Sequence, residues 1–186
     1  IRTSVARPAF AVASTTVIAS LCTRGFSCTD VFTASARAYA SRHATDLLIQ
    51  TVLLEPGLPG AYTKLVIIWR LLRMRVHTWI WWLDCDALFL APNVAPQTLV
   101  AEAGGDVQSV LLLGSYEIWG WFNKSHPINT GSFFLRGASA ASERLLGQWG
   151  AHALQYRTHA LWEQIGLYRL LLPEDVPGHT RGPVLM

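Results

Sequence analysis

Short apolar runs alternate along the chain with longer stretches in which apolar residues recur every three or four positions. The short runs predict buried strands, and the longer stretches predict helices with one apolar face. Strands are predicted at residues 10–18, 46–54, 79–83, 109–113 and 128–136. Helices are predicted between residue 35 and the second strand, at 62–74, for a short length from 96, and at 138–154 and 160–172.

Two of the predicted helices have a clear apolar side. In the helix at 62–74 it consists of Leu65, Ile68, Trp69 and Leu72, and in the helix at 160–172 of Trp162, Ile165, Leu167 and Leu170. The first spacing, i, i+3, i+4 and i+7, is that of an amphipathic helix. Arg70, Arg73 and Arg75 are expected on its solvated face, with anion binding as the alternative. Proline and glycine predict a loop at 55–60, before this helix.

The alternation of strands and helices predicts an α/β layered domain with a largely parallel central sheet flanked by helices. The length of 186 residues suits one domain, so we expect residues 1–186 to form a single core. In sheets of this kind ligands bind beyond the carboxyl ends of the strands. The residues that follow each predicted strand are therefore the first candidates for a functional site.

Asp84 and Asp86 follow the apolar run "WIWWL" and are one residue apart. Burying carboxylates without a partner is costly, so their position at the end of a buried strand indicates a bound cation. A turn just after the strand would let both side chains converge on one ion. Hard oxygen ligands suit Mn²⁺ or Mg²⁺, which keep open positions for substrate phosphates.

Two other interpretations of this acidic pair remain open. The carboxylates could cap a helix or a turn. Alternatively, haloacid-dehalogenase-type phosphatases place D-x-D after an apolar strand, with the first Asp as nucleophile. That class carries the motif on its first strand and normally has Thr or Val two places after the second Asp, whereas Leu88 stands there in this chain.

The composition narrows the classes of protein. An apolar fraction of 51% with 15% charged residues is typical of a packed globular domain. The net charge of +3 comes without a long cluster of Lys and Arg, so no nucleic-acid partner is expected. Cys22, Cys28 and Cys85 form no zinc-binding spacing and leave at least one thiol over, so they do not decide the redox compartment.

No membrane anchor or signal peptide is visible in the sequence. The longest charge-free stretch, residues 8–23, is shorter than the ~20 apolar residues that cross a bilayer. Because the chain begins at Ile1 rather than Met, we expect it to be a fragment or a mature domain.

The segments "WIWWLDCDALFLAPN", "INTGSFFLR" and "LWEQIGLYRLL", in this order, resemble the galactosyl, mannosyl and xylosyl transferases of glycosyltransferase family thirty-four. "ARAYASRHATDLLI" and "YTKLVIIWRLL" are also similar to that family, and the resemblance covers roughly residues 10–172. It implies a GT-A (Rossmann-like) fold, a nucleotide-sugar donor with UDP or GDP, and a divalent metal. It also implies retention of anomeric configuration.

By this resemblance, Asp84 and Asp86 hold Mn²⁺, or Mg²⁺, against the donor diphosphate. The segment that resembles the family's sugar pocket consists of Asn129, Thr130, Gly131 and Ser132, for which an ordinary turn into a strand is the alternative. Glu163 and Gln164 match an acidic residue followed by Gln and are implied to face the reacting carbon. For Glu163 the alternative is a favourable charge at a helix N-terminus.

Weaker assignments concern the nucleotide and the acceptor. Lys64 could reach a phosphate or could be solvated. Thr16, at the end of the first predicted strand, could touch the nucleotide or could be an ordinary loop residue. The aromatic segment 116–127 offers Trp119, Trp121 and Phe122 for stacking on an acceptor sugar or for core packing.

The chain departs from the family near its end. The family supplies a third metal ligand, a His near the end of the catalytic domain, whereas only His179 is available here in a context that matches poorly. We therefore expect a catalytic domain that lacks its C-terminal end.

The predicted function is metal-dependent, retaining transfer of a hexose or pentose to a glycan acceptor. The alternative is a non-catalytic sugar-nucleotide-binding or partner subunit with the same fold. The resemblance also implies a Golgi membrane protein with a lumenal domain, which could form homo- or hetero-oligomers with related transferases.

Overall fold

A computed structural model describes residues 16–23, 28–55, 57–105, 111–116 and 128–171. The strands are β1 (Thr16–Leu21), β2 (Asp46–Gln50), β3 (Trp79–Leu83), β4 (Leu112–Tyr116) and β5 (Ile128–Arg136). The helices are α1 (Thr29–Arg42), α2 (Gly60–Met74), α3 (Pro96–Glu102), α4 (Ala140–Gln155) and α5 (Trp162–Leu171). None of these helices is long and apolar enough to cross a membrane.

The five strands form one sheet in the order β2-β1-β3-β5-β4. β1 pairs in parallel with both β2 and β3, whereas β5 is antiparallel to both β3 and β4. Four strands therefore share one direction, and the predicted mostly parallel α/β sheet is confirmed. Because the chain leaves β1 toward β2 and returns on the other side to β3, the connections diverge around β1, which is where such sheets open a binding crevice.

Both faces of the sheet are covered by helices. Alternate residues of β3 divide between two cores, since successive strand side chains point to opposite faces. Ile80 and Trp82 pack with α2, α4 and α5, while Trp79, Trp81 and Leu83 pack with α1 and α3. Helices on both faces explain why β3 is apolar throughout rather than alternating.

Element bounds differ from the sequence prediction at several ends. β3 and α2 lie where they were expected, but β1 continues to Leu21 rather than stopping at residue 18, and α1 already begins at Thr29. The aromatic segment at 117–127 and the chain after residue 171, including His179, lie outside the described residues. Residues 10–15 of the first predicted strand lie outside them as well.

The apolar stripe of α2 is rotated from the prediction. Leu65, Ile68 and Leu72 are buried as expected, but Trp69 is 41% exposed and Ile67 and Leu71 are buried in its place. The run from Leu65 to Ile68 is apolar at every position, so more than one stripe fits the pattern. Arg70 and Arg73 are exposed on α2, as expected for its solvated face, whereas Arg75 follows the end of the helix and pairs with Glu143 at 3.2 Å.

Candidate active site

Asp84 and Asp86 lie directly beyond the carboxyl end of β3 and open onto one cavity of about 500 Å³. The backbone amide of Asp84 donates to the carbonyl of Gly131 at 2.7 Å, which continues the β3–β5 pairing by one residue. The turn that follows, closed by Ala87 N–H donating to Asp84 O at 3.0 Å, exposes Asp86. Both carboxylates therefore reach the same space from one short segment.

Cys85, between the two aspartates, forms a disulfide with Cys22, the residue that follows β1. Their Cα atoms are 5.3 Å apart, within the range of an ordinary disulfide. Both cysteines are buried. The acidic turn is thus covalently tied to the end of the neighbouring strand, a pairing that the sequence analysis left undecided. Cys28 lies outside this disulfide.

Lys64 of α2 is the central cation of the site. It is 3% exposed, and its Nζ donates to Glu163 Oε1 and to the carbonyl of Thr130, both at 2.8 Å. Asp84 Oδ1 is 3.2 Å from the same Nζ. Nζ also lies 5.4 Å from the centroid of the Trp82 ring. Three acceptors match the three donors of an ammonium group, so the buried charge is fully partnered.

The ionisation of Lys64 follows from these contacts. Burial alone would lower the pKa of Lys64, but the negative charges of Glu163 and Asp84 and their hydrogen bonds outweigh it, and the pKa is raised. Lys64 is therefore protonated at any physiological pH. The alternative of a solvated surface lysine is wrong, because Lys64 is a buried cation that pairs with Asp84 and Glu163.

Glu163 and Gln164 begin α5 and meet Thr130 of β5. Glu163 is 3% exposed, and its Oε1 accepts from Lys64 and, at 2.9 Å, from the Thr130 hydroxyl. Gln164 Oε1 accepts from the Thr130 amide at 3.1 Å and from its hydroxyl at 3.2 Å. Trp149 of α4 donates its indole N–H to the Glu163 carbonyl at 2.7 Å, which fixes the start of α5. Thr130, Glu163 and Gln164 all line the cavity.

Asp84 is held in a defined orientation. Its Oδ1 accepts the indole N–H of Trp82 at 2.6 Å in addition to contacting Lys64. Its side chain remains 42% exposed. A Cβ at Gly131 would lie 3.2 Å from Asp84 Oδ2 and 2.8 Å from Asn129 Oδ1. The missing side chain at Gly131 therefore keeps Asp84 Oδ2 accessible beside the backbone of β5.

The segment 129–132 contributes unevenly to the site. Thr130 lines the cavity, whereas Asn129 turns its Oδ1 to the Gly131 amide at 2.6 Å. Ser132 lies 3.4 Å from the indole nitrogen of Trp81, on the face of the sheet opposite to Trp82. Ser132 therefore does not line this cavity, because β5 is a strand from Ile128 onward and its side chains alternate.

Thr16 also lies away from the cavity. It is paired with Trp79 at the amino end of β3, whereas Asp84 follows the carboxyl end of that strand, and it is fully buried. Thr16 is therefore the first residue of β1 and not its end, since β1 ends at Leu21 and not at residue 18. Leu21 and Thr23, which the sequence analysis missed, line the cavity at the end of β1. Had the end of β1 been predicted at Leu21, the rule that ligands bind beyond the carboxyl ends of strands would have identified both residues.

The donor set suits a Mg²⁺ or Mn²⁺ ion. These ions commonly take one or two carboxylates and complete their coordination with water and substrate phosphates. Asp84 Oδ2 and the exposed Asp86 carboxylate provide two hard oxygens at one cavity. Across the residues that the structure describes, no cluster of three or more His, Cys, Asp and Glu is positioned to hold a metal.

A sheet with this strand order and an acidic pair after β3 agree with the GT-A type of fold expected from the sequence. Residues 24–104, which include Lys64, Asp84 and Asp86, match the sequence model of the galactosyl transferase GMA12/MNN10 family. This match agrees, over that part of the chain, with the family resemblance found in the sequence.

A solved structure shares the fold. It is a crystal structure of a glycosyltransferase involved in the glycosylation of the major capsid of PBCV-1. The TM-score is 0.61 at 20% sequence identity, over 87% of this chain and 79% of that one. No curated protein sequence matches the chain. The residues of the site that follow residue 104, namely Thr130, Glu163 and Gln164, are thus assigned to it by geometry alone.

Proposed function

We propose that the protein transfers a hexose or pentose from a UDP- or GDP-sugar to a glycan acceptor, with Mn²⁺ or Mg²⁺ held by Asp84 and Asp86. One observation carries the proposal. The acidic pair lines the same cavity as a polar cluster of buried Lys64, Thr130 and Glu163 with the half-buried Gln164. A haloacid-dehalogenase-type phosphatase is not favoured, because that class carries its acidic motif after the first strand, whereas Asp84 and Asp86 follow β3.

A divalent ion at this pair would supply Lewis-acid stabilisation of the leaving nucleoside diphosphate. The chain itself orients the ligands. Lys64 and Trp82 fix one oxygen of Asp84, so its other oxygen is preorganised toward the cavity. Fixed ligands and dipoles in a partly dry site lower the barrier without reorganising during the reaction. Lys64 thus acts on the donor through Asp84 and does not contact it directly.

We assign Glu163 to electrostatic stabilisation of the sugar rather than to attack on it. Its Oε1 already accepts two hydrogen bonds and its side chain is almost fully buried. A carboxylate held in this way can stabilise positive charge on an oxocarbenium-like sugar. Gln164, which is partly exposed at the cavity, would bind a sugar hydroxyl through its amide N–H₂, since its Oε1 is taken by Thr130. Retention of configuration is proposed from the family resemblance.

The disulfide supports an oxidising compartment. Structural disulfides persist in secreted proteins and in the lumen of the secretory pathway, and are rare in the cytosol. Together with the family resemblance, this favours a lumenal domain of a Golgi membrane protein. Association with related transferases, in homo- or hetero-oligomers, is proposed on the resemblance alone.

The proposal is tested by release of nucleoside diphosphate from a panel of UDP- and GDP-sugars, with and without Mn²⁺. We expect turnover with at least one donor only when the metal is present. Asp84→Asn and Asp86→Asn should each reduce it by about 10²-fold or more, because a charged ligand is lost from the metal. Glu102→Gln, an exposed acidic residue at the end of α3, is the matched control and should be unaffected.

Two outcomes would contradict the proposal. Turnover that does not depend on the metal would contradict the assignment of Asp84 and Asp86 as metal ligands. Binding of a nucleotide sugar in the presence of Mn²⁺ without any turnover would instead favour a non-catalytic sugar-nucleotide-binding or partner subunit.

A further inference from the structure

Trp162 is an exposed aromatic residue at the mouth of the cavity. It is the first residue of α5, lines the cavity next to Glu163, and is 45% exposed. The sequence pattern placed it on the buried side of the helix. Its neighbour Glu163 is instead the buried residue, so the chain turns an acidic side chain inward and a large apolar ring outward at consecutive positions.

The backbone conformation of Trp162 is unusual. Its φ is +42°, in a region that bulky residues rarely occupy. Hydrogen bonds on both sides impose it: Trp162 N–H donates to the His159 carbonyl at 3.0 Å, and Gln164 N–H donates to the Leu161 carbonyl at 2.9 Å. Strained residues of this kind concentrate at ligand sites, where the surrounding structure over-determines them. The backbone of Trp162 is therefore fixed at the mouth of the cavity, and its exposed ring extends from there.

We propose that the Trp162 ring is a stacking platform for a pyranose ring of the acceptor glycan. An aromatic face fits the C–H face of a pyranose, and a rigid indole supplies contact area at little entropic cost. The topology indicates that the sugar on Trp162 belongs to the acceptor and not to the donor. Thr23 follows β1, where a crevice for the nucleotide opens, whereas Trp162 begins a helix packed on β5, two strands away.

The order of groups along the cavity supports the same occupant. The donor would extend from the end of β1, past Asp84 and Asp86, to Thr130 and Glu163. Trp162 lies next to Glu163 and is open to solvent, as required for a substrate that continues outside the protein. This inference rests on the proposed function, because only a transferase has an acceptor. Binding of a sugar to Trp162 can nevertheless be measured without turnover.

The test is equilibrium binding of cellotetraose, mannotetraose and galactotetraose, measured by saturation-transfer NMR and calorimetry on the wild-type protein and three variants. Trp162→Ala should weaken the best-bound sugar by about tenfold, the loss of roughly one aromatic contact. Trp162→Phe should retain most of the affinity. Trp69→Ala removes an equally exposed tryptophan on α2, away from the cavity, and should change nothing.

A second measurement separates this inference from the proposed function. In donor assays the ratio of transfer to hydrolysis should fall by about tenfold in Trp162→Ala, because the acceptor is lost and water replaces it. If none of the tetraoses binds, or if Trp162→Ala binds them as well as the wild type, the platform is refuted whatever the donor activity. If sugars bind through Trp162 but no donor turns over, the proposed transfer fails and the platform stands as a glycan-binding site.

Discussion

Lys64 brings three distant parts of the chain to one atom. Its Nζ contacts Thr130 at the start of β5, Glu163 at the start of α5 and Asp84 after β3. Buried ion pairs give little net stability, but removing one partner leaves an uncompensated charge in the interior. The cluster therefore makes the position of each carboxylate conditional on the lysine.

Replacing Lys64 with Met should destabilise the fold by about 3–5 kcal/mol, because Glu163 is left buried without its cation. The double variant Lys64→Met/Glu163→Gln should recover much of that loss, since both charges are gone. Urea unfolding measures both effects. Arg73→Met, an exposed position on the same helix, is the control. A Lys64→Met protein as stable as the wild type would contradict the pairing.

Lys64 also gives the stability of the wild-type protein a characteristic pH dependence. Because the pKa of Lys64 is raised above 10.5 in the folded protein, its contribution to stability is complete below that value and is lost as the pH rises through the raised pKa. The wild type should lose this contribution only in strongly alkaline solution. The Lys64→Met/Glu163→Gln protein should lack that particular loss.

Residue by residue, the sequence was informative where neighbours in the chain are neighbours in the site. Asp84 and Asp86 flank one turn, so a local pattern identified them, whereas Glu163 and Gln164 were named from the family resemblance. Thr16 was taken for a strand end because the end of β1 was predicted a few residues too early. The pairing of Lys64 with Glu163 joins residues 99 positions apart, and no local pattern encodes it.

Helices α4 and α5 approach closely at a glycine. A Cβ on Gly166 would lie 2.6 Å from the backbone N and Cα of Ala153, so the two helices can meet only if position 166 has no side chain. Ala153 O also accepts the Tyr62 hydroxyl at 2.8 Å, which links α4 to α2. The start of α5, with Glu163 and Gln164, is therefore positioned by backbone contact.

Gly166→Ala should destabilise the protein by about 1–3 kcal/mol and lower donor turnover, because α5 must move away from α4. Gly150→Ala, in the middle of α4 with open space around it, is the matched control. That change should be neutral or stabilising by about 0.5–1 kcal/mol, since alanine favours helix. Thermal unfolding distinguishes them, and equal midpoints would show that the contact is not tight.

At the scale of elements, periodicity predicted most helices and strands, but it did not predict their directions. The apolar run of β3 required two covering layers, and these are present. The antiparallel course of β5 left no mark on its sequence, because strand direction is set by connections and not by the residues within the strand. The rotation of α2, with Trp69 outward, was likewise undecided in a run of continuous apolar residues.

Across the whole molecule, the Cys22–Cys85 disulfide closes a long loop. The cysteines are separated by 63 residues, a span that includes α1, β2 and α2. A cross-link over a loop of this length stabilises by about 4 kcal/mol, chiefly through the unfolded chain. Because the disulfide also anchors the turn that carries Asp84 and Asp86, its removal should weaken metal binding.

The double variant Cys22→Ala/Cys85→Ala should lose about 2–4 kcal/mol of unfolding free energy and bind Mn²⁺ more weakly than the wild type. Cys28→Ala, which leaves the disulfide in place, should alter neither quantity. Chemical denaturation and calorimetric titration with Mn²⁺ provide the two measurements. Unchanged metal affinity in the double variant would show that the acidic turn keeps its shape without the cross-link.

The position of β5 late in the chain has a consequence during synthesis. β5 lies between β3 and β4, and with α5 it supplies Thr130, Glu163 and Gln164. A nascent chain therefore exposes Asp84 and Asp86 well before Lys64, which pairs with Asp84, has its other partners. A message shortened before β5 would encode the acidic pair but no enclosed cavity, so its product could not hold a donor.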